Sequence, residues 1–155
     1  MKKELTIHYT QFSRLTDLGL EDQALLVEAR EQQANAYAPY SKFKVGAAVR
    51  LENLQIIGGN NQENAAYPSG LCAERVALFA SAARFPNVKI EALAIYANSK
   101  NGNTVLSPCG ACRQVMQEYE SIHGTSYKVL LMDQDEKITL FNSSSDLLPF
   151  AFKLG

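Results

Sequence analysis

The sequence predicts an α/β fold, a three-layer α/β/α sandwich around one mixed five-stranded sheet, and two observations carry that prediction. Helix-patterned and strand-patterned segments alternate along the chain, and crossover helices between strands normally require a sheet covered on both faces. Residues 72–85 are apolar on nearly every side, as a helix enclosed between such layers must be.

Glu21 to Ala38 reads as the first helix: Leu25, Ala29, Gln33 and Ala36 share a stripe, Glu21 and Asp22 occupy the first turn, and Pro39 stops it. Residues 1–20 are set aside as an accessory N-terminal arm on a single domain spanning 1–155. Lys44 to Leu51 and Gln55 to Gly59 form a hairpin about a turn at Glu52 and Asn53. Cys72 to Phe85 is the buried helix, closed by Pro86, and Ile90 to Ala97 is an apolar strand. Cys112, Val115, Met116, Tyr119 and Ile122 mark a third helix by their spacing, ended by Gly124. Tyr127 to Met132 and Ile138 to Phe141 supply the last two strands, before a short helix around Ser145 to Leu148.

Composition narrows the partners. Of 155 residues, 46% are hydrophobic and 20% charged, and the formal charge is −1. Lysines and arginines are scattered, so the footprint of a nucleic-acid binder is missing and a small, weakly charged ligand is favoured. Neither a secretory apolar core nor a run of about 20 apolar residues appears, which predicts a cytoplasmic protein without a membrane partner. Three cysteines cannot all pair within one chain, and a reducing cytosol disfavours disulfides.

Those cysteines fall in two short segments, Cys72-Ala73-Glu74-Arg75 and Pro108-Cys109-Gly110-Ala111-Cys112-Arg113, each at an expected helix start. Free N–H groups and the positive end of the macrodipole bias a thiol there towards the thiolate that zinc requires. Three thiolates on Zn²⁺ leave one tetrahedral position open, as in catalytic sites, whereas structural zinc normally has four protein ligands. His8 and His123 lie far from both segments.

Glu74 follows a candidate ligand by two residues, so it projects differently from Cys72. It is placed to shuttle protons to and from a water at the metal, or simply to cap the helix. Arg75 and Arg113 are candidates to temper the negative charge of three thiolates around one zinc, Arg75 by hydrogen bonds to sulfur; either side chain can also point to solvent.

Four motifs in order, Tyr37-Ala38-Pro39-Tyr40-Ser41-Lys42-Phe43 with Val45-Gly46-Ala47-Ala48, Asn61-Gln62-Glu63-Asn64-Ala65-Ala66-Tyr67, Cys72 to Arg75 and Pro108 to Arg113, resemble the small homotetrameric cytidine deaminases from about Glu21 to Phe152. The resemblance implies hydrolytic deamination of cytidine and deoxycytidine in pyrimidine salvage. A water activated at zinc attacks C4 of the cytosine, Glu74 carries protons to N3 and to the departing amine, and uridine and ammonia leave. It assigns Asn61 and Glu63, within Asn61-Gln62-Glu63, to the ribose, Phe43 to the base, and the backbone of Ala73 to the pyrimidine oxygen. It also places Phe152 in the active site of a neighbouring subunit. Without the resemblance, Gly58-Gly59-Asn60-Asn61 passes for a turn, Phe43 for core, and Phe152 for packing within one subunit.

Other classes remain open on residues alone. Cys109-x-x-Cys112 also suits a redox dithiol, which leaves Cys72 and Glu74 unexplained. A zinc or RNA-binding module lacks its fourth ligand and a basic surface. A nucleic-acid-editing or nucleoside-antibiotic deaminase shares the zinc motif but not a reason for Asn61-Gln62-Glu63.

Overall fold

The computed structural model describes residues 1–99 and 105–154. Residues 100–104 and 155, which the expected single domain spans, lie outside the described residues. The chain runs β1 (Thr10–Phe12), α1 (Leu20–Gln33), β2 (Val45–Leu51), β3 (Ile56–Asn60), α2 (Ala73–Arg84), β4 (Ile90–Ala97), α3 (Gly110–His123), β5 (Lys128–Met132) and β6 (Ile138–Phe141). A 3₁₀ turn at Ser144–Leu147 takes the place of the expected last helix.

The strands form one mixed sheet in the order β1-β6-β5-β4-β2-β3, in which only β4 and β5 are parallel, the pair that α3 connects. Among the described residues the sheet therefore has six strands, not the expected five. The extra strand comes from the stretch set aside as an arm: Thr10 and Phe12 pair with Leu140 and Ile138, and the Tyr9 ring lies 5.6 Å from that of Phe141. Three residues are too few to show an alternating pattern, so the pairing is set by the edge that β6 offers.

Alternation across the pleat sorts the strand residues into two cores. Ala48, Ala92, Ala94, Leu130 and Met132 meet Leu25, Leu26 and Ala29 of α1. Val49, Leu93, Ile95, Val129 and Leu131 meet Ala77 and Leu78 of α2 and Met116 of α3 on the opposite face. Both faces are thus covered, as the near-continuous apolar strands imply, and each fully buried leucine or isoleucine stabilises the fold by roughly 1.5–3 kcal/mol.

α1 stops at Gln33, short of the expected Ala38. Beyond it the Tyr37 N–H donates to Asn61 O and the Glu63 N–H to Tyr37 O, so this segment pairs alongside residues 61–63. A helix continued to Ala38 would forfeit both bonds. Gly58, Gly59 and Asn60 lie within β3 although they look like a turn. The reason is contact: a Cβ on Gly59 would stand 2.5 Å from Ala77 N and 2.9 Å from Ala73 O, so α2 rests directly on the strand backbone.

Candidate active site

α2 and α3 begin beside one another, and each starts at a cysteine. Cys72 is the N-cap of α2 and Cys109 that of α3, both with extended backbone. Side chains in a first helical turn lean back towards the N-terminus, which brings Cys112 to the same point. The Cys72 and Cys109 sulfurs are 3.9 Å apart, those of Cys109 and Cys112 3.4 Å, and all three lie within 4.8 Å of one another. Zn–S bonds of ~2.3 Å at tetrahedral angles would separate sulfurs by about 3.8 Å, so the cluster has the dimensions of a three-thiolate metal site. The cysteines are free of disulfides, with Cys112 buried, Cys72 half-buried and Cys109 exposed. Zinc fits this donor set.

Sharing of protons divides the sulfurs. A hydrogen bond with Cys112 pulls the Cys72 thiol down to about 5, with Arg75 and Cys109 adding to the effect. The same bond pushes the Cys112 thiol up. Arg75 Nη2 donates to Cys72 Sγ at 3.8 Å, the geometry expected for tempering thiolate charge. Arg113 behaves differently: its guanidinium donates to Pro108 O at 2.8 Å, Leu147 O at 3.1 Å and Ser107 Oγ at 2.5 Å. It braces the loop that delivers Cys109.

Glu74, in the first turn of α2, is only 5% exposed. Burial, assisted by the charge on Cys72, raises its carboxyl to about 7. It lines a cavity of about 270 Å³ together with Cys72, Ala73, Cys109, Phe43, Asn61 and Glu63. A larger opening of about 550 Å³ shares Asn61, Glu63 and Cys72 but does not include Glu74, so the smaller one is where Glu74, Cys72 and Cys109 meet. Phe43, 43% exposed, stands on its wall rather than in the core. Ala73 is the first residue of α2 and fully buried, and an N–H at that position has no partner within the helix.

Asn61 and Glu63 are anchored from behind. Asn61 Oδ1 accepts from Val45 N at 2.8 Å and its Nδ2 donates to Phe43 O at 2.9 Å. Glu63 Oε2 accepts from the N–H groups of Tyr40 and Ser41, and Oε1 from the Ser41 hydroxyl. The Gln62 side chain turns to Asn60 Oδ1, while its backbone exchanges two hydrogen bonds of 2.9 Å with Leu71, beside Cys72.

Two positions carry no signal in the sequence because their partners are distant. Ser41 joins Glu63 to the Phe43 N–H, which donates to its Oγ at 3.0 Å. Gln114, on the first turns of α3, grips the backbone of Phe152 in both directions, at 2.9 and 3.0 Å. The Phe152 ring is left 70% exposed.

Residues 20–127 match the family model described as the cytidine and deoxycytidylate deaminase zinc-binding region. The chain is 39% identical over 133 residues to a cytidine deaminase of Halalkalibacterium halodurans, covering 86% of this chain and 95% of that one. It is 38% identical to one of Sporosarcina psychrophila, covering 86% and 92%. A crystal structure of cytidine deaminase from Burkholderia pseudomallei superposes with a TM-score of 0.73 at 38% identity, over 83% of this chain and 97% of that chain. The enzyme of Mycobacterium tuberculosis gives a TM-score of 0.66 at 32% identity, over 88% and 100%.

Proposed function

Because the chain belongs to the cytidine and deoxycytidylate deaminase zinc-binding family, we propose that it hydrolyses cytidine and deoxycytidine to uridine and deoxyuridine, releasing ammonia. The observation that carries this is one cavity lined by two cysteines of a three-thiol cluster, a buried carboxyl group and two anchored polar side chains. Zinc held by Cys72, Cys109 and Cys112 supplies, when bound, the Lewis acidity that makes water a nucleophile near neutral pH.

Glu74 is placed to take one proton from the attacking water and deliver it to N3 as the oxygen bonds to C4, and then to pass the remaining hydroxyl proton to the amino nitrogen as the C4–N bond breaks and ammonia leaves. Burial raises its carboxyl to about 7, so it can both take and release a proton near neutral pH. Arg75, bonded to Cys72 Sγ, offsets the negative charge of the thiolates. Phe43 packs on the base, the Ala73 N–H faces the pyrimidine oxygen, and Asn61 and Glu63 receive sugar hydroxyls, with Gln62 holding their segment against Leu71. Phe152 serves the site of a neighbouring subunit in a homotetramer, a role its exposed ring suits. Pyrimidine salvage in the cytoplasm is the setting that follows from a nucleoside substrate and three reduced thiols.

The deciding experiment follows uridine formation from cytidine by the zinc-loaded protein and by Glu74→Ala with its zinc retained. Loss of at least ~10²-fold in kcat is expected for a positioned acid–base group. Unchanged turnover in the variant removes Glu74 from the mechanism, and an inactive native protein removes the reaction.

A further inference from the structure

The segment Tyr37 to Phe43 supplies more than Phe43 to the site. We infer that Ser41 is a positioning residue for sugar recognition, its hydroxyl fixing the Glu63 carboxylate and the Phe43 backbone as one unit at the cavity. This rests on the reading above, in which Glu63 receives a sugar hydroxyl.

The argument is one of hydrogen-bond capacity. A serine hydroxyl has one proton to give and two lone pairs to offer. The Phe43 N–H, 3.0 Å away, occupies a lone pair, which leaves the proton for Glu63 Oε1. On the other carboxylate oxygen, Oε2 accepts from Tyr40 N at 2.8 Å and Ser41 N at 3.2 Å. A carboxylate oxygen offers about two lone-pair sites, so Oε2 is filled and Oε1 keeps one. That remaining site is the acceptor for a sugar hydroxyl, and the carboxylate cannot rotate without breaking three bonds.

The same hydroxyl ties this acceptor to the wall that receives the base. Asn61 grips the backbone on either side of Lys44, through Phe43 O and Val45 N. Ser41 and Asn61 therefore fix Phe43 from its N–H and its carbonyl respectively, and all three line the same cavity with Glu63. The Ser41 hydroxyl is also the foremost cause of the lowered Glu63 carboxyl, favouring the ionised form that only accepts. Ser41 is solvent-exposed, so its replacement leaves the two cores intact.

The experiment compares native protein, Ser41→Ala and Ser41→Thr, each zinc-loaded and checked for an unchanged melting temperature. Substrates are cytidine and 2′,3′-dideoxycytidine, whose sugar lacks ring hydroxyls; its Ki replaces turnover where turnover is slow. Ser41→Ala is expected to raise KM for cytidine by about tenfold, as for loss of a hydrogen bond to a charged group. Its kcat stays within about twofold, as when an interaction shared by ground and transition states is removed. Ser41→Thr, which keeps the hydroxyl, restores KM, and dideoxycytidine, which keeps the Phe43 contact but offers Glu63 no ring hydroxyl, responds less than cytidine to Ser41→Ala. In a Glu63→Ala background the serine substitution costs less than it does alone.

An unchanged KM in Ser41→Ala, an equal loss with both substrates, or additivity with Glu63→Ala overturns the inference while the deaminase reading stands. Failure of the native protein to deaminate cytidine overturns both.

Discussion

The sulfurs of Cys72 and Cys109 lie 3.9 Å apart across 37 residues of sequence, each at the N-cap of its own helix. A metal there ties α2 to α3 at their starts, so its binding energy adds to the stability of the fold. At a free-metal concentration ~1,000-fold above Kd the contribution is about 4 kcal/mol. Stripping zinc with a chelator is therefore expected to abolish deamination and to lower the melting temperature, both restored by adding zinc. Cys109→Ala should lose stoichiometric metal in elemental analysis. Full metal content in that variant would show that Cys109 is not a ligand.

Gly59 makes a second prediction about the same helix. A Cβ there meets the α2 backbone at 2.5 Å, whereas a Cβ on Gly46 would overlap Ala29 O of α1, on the opposite face. Neither neighbour is a flexible side-chain tip, so both alanine substitutions should destabilise, by ~1–3 kcal/mol or more. Only Gly59→Ala pushes on the helix that carries Cys72 and Glu74. Zinc retained per folded chain, measured alongside urea unfolding, should fall for Gly59→Ala and hold for Gly46→Ala. Equal retention would mean that α2 does not transmit the displacement.

These glycines show where sequence reading reaches its limit. The cysteine segments were legible because helix starts, ligand type and spacing are all local properties, and Cys72 and Cys109 do sit at helix starts. The three long helices and five strands followed from periodicity for the same reason. The strand expected over Gln55 to Gly59 is present, but the reason for its glycines, a helix passing over the strand, is recorded by no local pattern. The end of α1 was missed because Tyr37 answers to residues 61–63, and β1 because three residues carry no period. Ser41 and Gln114 were invisible as clamps, since their partners are 22 and 38 residues away.

Away from the site, Asp22 and Arg50 form a buried pair beneath α1. Both Arg50 Nη atoms donate to Asp22 Oδ1 at 3.1 Å, Nε donates to Glu91 at 3.2 Å, and Lys128 Nζ reaches Asp22 Oδ2 at 2.8 Å. Removing Asp22 takes the hydrogen bonds from both Arg50 Nη atoms, although Glu91 stays on Nε and Glu21 within 3.9 Å of Nη2. Asp22→Ala is therefore expected to cost ~1.5–3 kcal/mol in urea unfolding, as for lost hydrogen bonds to a charged group. Lys128→Ala, whose side chain is 44% exposed, should cost about 1 kcal/mol or less. Similar losses for the two would contradict the burial argument.

Tyr127 is expected to contribute to the loss of stability at alkaline pH. Its hydroxyl donates to Met116 O at 2.9 Å in the core beside α3, and burial, reinforced by the charge of Glu120, holds the phenol well above its ordinary value. The unfolded chain releases this proton near pH ~10 while the folded chain keeps it, so above that pH unfolding is accompanied by proton loss. Stability from this group is thus fully present below pH ~10 and declines as pH rises further. Tyr119, also raised by burial, acts in the same sense. Tyr127→Phe should be less stable at neutral pH, by about 1 kcal/mol for the lost hydrogen bond. Its stability should nevertheless fall less steeply than the native protein's above pH ~10. Urea midpoints measured from neutral pH into the alkaline range test this directly, and parallel curves for the two proteins would assign the alkaline loss to other groups.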